Sequence, residues 1–301
     1  MKAWKAELFL FLVTFIWGGT FLFTKIGLEY CPPSLYIIFR FLIAFVISML
    51  VFGRHLKGMD KQTLIHGLVL GILFGGGFIL QTYGLKFTSV TKSAFITGLA
   101  VPLTPFAFWL IEKKSTKVWQ KAGVIIATIG LWLFTKPTLD SINLGDFLTL
   151  ISTFFWAFYI TYMDVFTRGR KEFKETAQLV MLQFVGAAVV SLLFFFFLEY
   201  ENLNLVINMK LIYSLAYNGI LASFFLTFIH TGVQRYTTPV KAALIFSMEP
   251  VIASVFAMMF FAEILNQREY IGAAILLLGV LVSETGAYIT GIIRAKAFSK
   301  D

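Results

Sequence analysis

Two ionisable residues stand inside long apolar stretches of this chain, and its chemistry starts from them. Arg40 lies five residues into the stretch 35–52, and Glu249 lies near the middle of 240–261. A charge at membrane depth costs about 2.5–3.5 kcal/mol on insertion scales unless it faces protein or water. Pro250 follows Glu249 and has no N–H, so a backbone carbonyl nearby loses its helical donor. A carboxylate beside a free carbonyl can exchange a proton or hold an ammonium group. Arg40 admits two readings, a packing residue bonded to helix carbonyls or a contact to a solute.

A second constellation is aromatic and polar. Trp17 and Trp156 each fall about half-way along an apolar stretch, and Tyr159 follows Trp156 by three residues, on the same helical face. Gln81, Tyr83, Asn218, Ser223 and Ser247 offer hydrogen bonds from other stretches. With 35 Phe in the chain, most aromatic side chains serve packing or lipid contact. The two Trp differ in recurring at equivalent places and in carrying a polar N–H. An aromatic cavity with few charges suits a small zwitterionic or amphipathic solute. Phosphorylated solutes would want several buried Lys or Arg, and Arg40 alone is thin support.

The elements that must position these groups are membrane-spanning helices. Hydrophobic residues make up 58% and charged residues 14% of the 301, with mean hydropathy +0.83; soluble domains carry roughly 25% charged residues. A spanning helix needs about 20 mostly apolar residues. Ten such stretches occur, at 8–28, 35–52, 64–85, 90–111, 118–134, 147–166, 177–198, 211–233, 240–261 and 270–292. They lack the alternation of a membrane barrel.

The chain also repeats itself, a signal that decides architecture before others. FTSVTKSAFI at 87–96 is matched by YTTPVKAALI at 236–245, displaced by 149 positions, and Gly123 and Gly130 fall opposite Gly272 and Gly279. Phe15-Ile16-Trp17 falls opposite Phe154-Phe155-Trp156 at a displacement of 139. The expected units are 1–138 and 139–301, five spans each, joined by a Pro137-containing linker. Five is odd, so the second unit enters the membrane from the opposite side. Inverted repeats related by an in-plane two-fold axis are the architecture of many secondary transporters, with sites near the midplane between the repeats. Basic residues number 18 on the side of the termini and 5 on the other, which predicts cytoplasmic termini. The net charge of +9 then reflects topology and needs no nucleic acid.

These residues resemble a known family. Trp17-Gly18-Gly19 in the first span, Arg40-Phe41 in the second, Gly84 to Ser89 before the fourth, Glu249-Pro250 in the ninth and Ala262-Glu263 at its end are similar to the EamA-type branch of the drug/metabolite transporter superfamily. The resemblance implies two EamA-like units in a ten-helix inner-membrane carrier. Such carriers commonly export amino acids, other metabolites or drugs without ATP hydrolysis. In the first copy Ala100-Val101-Pro102 stands where the second has Glu249-Pro250, so one mid-membrane carboxylate is expected. The expected function is export of an amino-acid-like or amphipathic solute by alternating access, with a proton as candidate coupling ion. Cationic drugs or nucleotide- and sugar-type solutes are the alternative cargo, and the chain is a monomer or homodimer.

Other classes find less support. No GxxxxGK[ST] loop is present for an ATP-driven pump. The three His are scattered, Cys31 is alone, and no cofactor or metal site is read. The first apolar stretch is too long for a cleavable signal. Lys25 and Glu284 are expected to reach toward headgroups, and His230 to be a hydrogen-bonded helix residue. Gly67, Gly71 and Gly75 form a small-residue ridge for helix packing. Phe194 to Phe197 is expected to face lipid.

Overall fold

The structure, a computed structural model, describes residues 1–135, 143–262 and 264–298, and side chains among these except at 135, 202 and 284–298. The linker 136–142, Glu263 and the side chain of Glu284 lie outside the described residues. The described chain is helical: α1 (Ala3–Gly27), α2 (Pro33–Phe52), α3 (Lys61–Phe87), α4 (Val90–Gly98), α5 (Ala100–Glu112) and α6 (Val118–Thr135) form the first half. The second contains α7 (Leu144–Thr167), α8 (Phe173–Leu198), α9 (Met209–Leu215), a π-helical segment Ala216–Phe225, α10 (Leu226–Gln234), α11 (Pro239–Phe246), α12 (Glu249–Phe261) and α13 (Gln267–Phe298).

Taking α4–α5, α9–α10 and α11–α12 as single spans, eight helices among the described residues are long and apolar enough to cross a membrane, and Val118–Phe134 is a shorter apolar helix. The expected tenth span falls within α13, whose later side chains are not described. The chain is a multi-pass integral membrane protein, with ten as the approximate number of spans.

Local chemistry sets the same boundaries in both halves. Ser89 and Thr238, displaced by 149, cap α4 and α11 by accepting the N–H of Lys92 and Lys241. Lys113 and Ala262, related likewise, end α5 and α12 in the left-handed conformation, at φ 55° and 53°. Both fourth spans are broken in mid-course. A proline denies a donor to the carbonyl four residues earlier. For Pro102 that residue is Gly98, the last of α4, and for Pro250 it is Phe246, the last of α11.

Packing follows the same symmetry. Helix α7 lies against α4 and α5, as α1 lies against α11 and α12, while α6 packs along α13. In that last contact Gly123 meets Gly279 and Gly130 meets Gly272, where an added Cβ would stand 2.6 and 2.7 Å from the opposing carbonyl oxygen. The repeat glycines thus serve close packing within one chain. The ridge on α3 does the same against α8, where a Cβ on Gly75 would lie 2.7 Å from Ala187 Cα.

The inversion is visible at the end of α1. Lys25 donates to the carbonyls of Leu85 and Thr88, and the Thr88 hydroxyl donates to Asp146 in the first turn of α7. Helix α7 therefore begins on the side where α1 ends. The same contacts correct the expectation for Lys25, which turns inward because the last carbonyls of α3 lack helical donors.

Candidate functional site

Six of the eight expected site residues line one cavity between the halves: Trp17, Gln81, Trp156, Tyr159, Ser247 and Glu249. The cavity sits on the axis that relates the repeats. At the displacements of 139 and 149, Trp17 pairs with Trp156, Thr20 with Tyr159, Gln81 with His230 and Ala94 with Ala243. Thr97 pairs likewise with Phe246, Gly98 with Ser247, Ala100 with Glu249 and Val101 with Pro250. Both members of every pair line the wall.

The two Trp are fixed differently. Trp17 donates its Nε1–H to the carbonyl of Ala222, 3.0 Å away in the π-helical segment. Trp156 Nε1 is buried and makes no hydrogen bond to a described residue; its indole packs edge-on to Phe78, centroids 4.8 Å apart. A buried donor without a partner costs about 1–3 kcal/mol, and this one belongs to a residue of the cavity wall. Tyr159 is committed, donating to Gln183 at 2.8 Å. Gln81 donates to Thr97 at 2.9 Å, and Ser247 to its own helix at the Leu244 carbonyl.

Glu249 opens α12 directly after the break, half-buried, with its carboxylate making no hydrogen bond or ion pair to a described residue. Its place at a helix N-terminus favours negative charge. Among the described residues it is the only carboxylic side chain on the wall, and no Lys or Arg lines it.

Arg40 and Asn218 do not reach the cavity. Arg40 is 2% exposed, its Nε donating to Ser223 at 2.8 Å and its guanidinium lying 4.2 Å from the ring centre of Phe78. Phe78 lines the cavity, so Arg40 sits one layer behind the wall. Asn218 donates to Thr24 and Tyr36 and ties α1 and α2 to the π-helical segment. Tyr83 is also remote, donating to Glu199. These groups were grouped by polarity and depth, which do not state the direction in which a helix turns them.

His230 is the hydrogen-bonded helix residue expected, and it also lines the cavity. It is fully buried, donates from Nε2 to Gln234 Oε1 at 3.1 Å, and leaves Nδ1 without a partner among the described residues. Its ring contacts Trp17 and Phe246, with centroids 5.4 and 5.1 Å apart. The displacement of 149 that matches it to Gln81 was the signal that could have found it. Phe78 and Phe246 carried no such mark among so many Phe.

Known proteins resemble this chain along most of its length. A profile of the EamA-like transporter family matches residues 4–136 and 143–285. The chain belongs to the EamA-like transporter family. An uncharacterized transporter of Archaeoglobus fulgidus is 31% identical over 94% of this chain and 86% of its own length. The uncharacterized transporter YoaV of Bacillus subtilis is 23% identical over 93% and 96%. The uncharacterized inner membrane transporter YedA of Escherichia coli is 22% identical over 93% and 90%. A crystal structure with TM-score 0.70 and 17% identity, covering 93% of this chain and 97% of that one, shares the fold. As an EamA-like protein the chain is a membrane transporter, and the cavity on its repeat axis is its candidate site.

Proposed function

We propose that this EamA-like chain is a secondary transporter that exports a small amphipathic solute bearing an amino group, such as an amino acid, by alternating access through the central cavity. The observation that carries the reading is the cavity itself: paired across the repeat axis in shape, and given one unpaired carboxylate, Glu249, by the second half alone. The ammonium group of the solute meets Glu249, Trp156 Nε1–H donates to an acceptor on it, and the apolar part rests on Trp17, Phe78 and Phe246. Arg40, behind Phe78, balances the charge of Glu249 through the ring without contacting the solute. The same carboxylate is the group on which a coupling proton would ride.

Orientation belongs to the proposal. The 18-to-5 basic asymmetry supports cytoplasmic termini in the inner membrane. With Cys31 replaced, single cysteines at Lys2, Arg170 and Asn202 should react with an impermeant thiol reagent in intact cells at position 202 alone. Labelling at 2 or 170 instead overturns the orientation.

Function is tested by flux in liposomes holding the purified protein, against labelled amino acids, amines and sugar phosphates. Saturable movement of amine-bearing solutes and none of phosphates is expected. Movement of sugar phosphates, or no saturable flux across the panel, overturns the reading.

A further inference from the structure

Two ion pairs outside the cavity are images of one another. Lys92 Nζ stands 2.5 Å from Asp146 Oδ2, and Lys241 Nζ stands 2.8 Å from Glu7 Oε1. The displacement of 149 carries Lys92 to Lys241, and that of 139 carries Glu7 to Asp146. Each pair joins a lysine in the first turn of a cavity-lining helix, α4 or α11, to a carboxylate near the start of the first helix of the other half. Both pairs therefore bridge the two halves.

They lie at opposite ends of the bundle, and α1 measures the distance. Glu7 is near its start. Lys25, in its last turn, donates to the Thr88 carbonyl at 2.8 Å, and the Thr88 hydroxyl donates to Asp146 at 2.7 Å. From Glu7 to Lys25 is 18 residues, or about 27 Å of helix, close to the hydrocarbon thickness of about 30 Å. Trp17 and the cavity fall midway between.

Helix physics does not account for the lysines. Each occupies the third residue after the cap, Ser89 or Thr238, where the positive end of the helix dipole disfavours a cation. The unfavourable placement occurs twice, once in each half, and is relieved each time by a carboxylate from across the repeat. Each lysine is partly exposed while its carboxylate is more buried, so a lysine that leaves its partner meets water and the pair costs less to break than a fully buried one. The segments that carry them, α4 and α11, end at the breaks at Leu99 and at Ser247–Met248, which fall among the cavity residues.

We propose that the two pairs are reciprocal latches that position the halves: Lys92–Asp146 closes the cavity on the side away from the termini, and Lys241–Glu7 closes it on the termini side. One opens while the other holds. The proposal rests on the alternating-access reading, and its test uses accessibility rather than flux, so that each can fail without the other.

With Cys31 replaced, a single cysteine is placed at Ala94 or at its repeat partner Ala243, both on the cavity wall. An impermeant maleimide is then applied to right-side-out and to inverted membrane vesicles. Lys92→Gln should raise labelling from the side away from the termini by roughly threefold, and Lys241→Gln from the termini side by a similar factor. Glu7→Gln should reproduce the Lys241→Gln pattern, and the exchange of Glu7→Lys with Lys241→Glu should return labelling to the starting level. These two variants keep the second latch testable even where Lys92→Gln fails to reach the membrane. Labelling that is unchanged, or raised equally from both sides, in variants of normal abundance overturns the proposal and leaves the pairs as static ties. Side-specific labelling without solute flux would uphold the latches and count against the function.

Discussion

The two walls of the cavity have the same backbone and different chemistry. Where the first half presents Thr20, Gln81, Gly98 and Ala100, the second presents Tyr159, His230, Ser247 and Glu249. Small or neutral groups on one wall face aromatic, imidazole and carboxylate groups on the other. Both fourth spans break at the same depth, yet only the second break carries an acid. Symmetry of this kind gives a fold two exchangeable halves, while the asymmetry gives the cavity a direction, with a polar end toward α7, α11 and α12 and a small apolar face toward α4 and α5. A solute with one charged end would then sit in one orientation.

The comparison is broken most directly at Glu249. Glu249→Gln keeps shape and hydrogen bonding, so a structural group would tolerate it. We expect normal abundance with transport lowered about tenfold, or about 1.4 kcal/mol in a binding or barrier term, measured as initial flux. Its counterpart change Ala100→Ser should lower flux much less; equal losses from the two would abolish the distinction between the walls.

The Trp pair sharpens it next. Replacing Trp156 by Phe removes an N–H that has no partner among the described residues, so half-saturation should rise by several-fold with little change in melting temperature. Trp17→Phe removes the hydrogen bond to Ala222 and should instead cost about 1 kcal/mol of stability, read as a lower melting temperature. The reverse pattern would exchange the roles assigned to the two rings.

A smaller effect is expected away from the axis. Phe197 is 83% exposed, and Phe196 also faces outward. Phe194 instead packs against Tyr83, centroids 6.2 Å apart, so the expectation of a uniformly lipid-facing run holds for only part of it. Phe197→Ala should leave flux within about twofold, a change under 0.5 kcal/mol. A loss comparable to that at Trp156 would mean that aromatic bulk in general, and not the axial cavity, governs transport.

The smallest effect concerns Cys31, between α1 and α2. Burial, with the nearby Glu199 carboxylate adding to it, pushes the thiol up to about 12. The reactive thiolate is then scarce at neutral pH. Maleimide labelling of the unaltered chain at pH 7 should be slow beside that of a cysteine at Ala243, and fast labelling of Cys31 would show that the packing around it opens.

Much of the fold was legible because a bilayer leaves few solutions. Backbone groups in hydrocarbon must bond within their own helix, so apolar stretches of the right length mark the spans, and their repetition marks two inverted halves. Glu249 and the Trp pair were legible for the same reason: an acid or an indole N–H at that depth is conspicuous. Arg40 and Asn218 were equally conspicuous, yet both are spent on ties between helices, with Ser223, Thr24 and Tyr36. Depth follows from position along the chain, whereas facing depends on rotation about the helix axis, which neighbouring helices set.

By itself, then, the amino-acid order determined membrane residence, two related halves, and the depth of each polar group, since these follow from local composition and displacement along the chain. Only the tertiary structure decided that eight repeat-related pairs converge on one cavity, that His230 belongs to it, and that Lys92 and Lys241 each reach a carboxylate in the opposite half. Those contacts join residues more than fifty positions apart, brought together by the packing of one half against the other, and no local propensity encodes that approach.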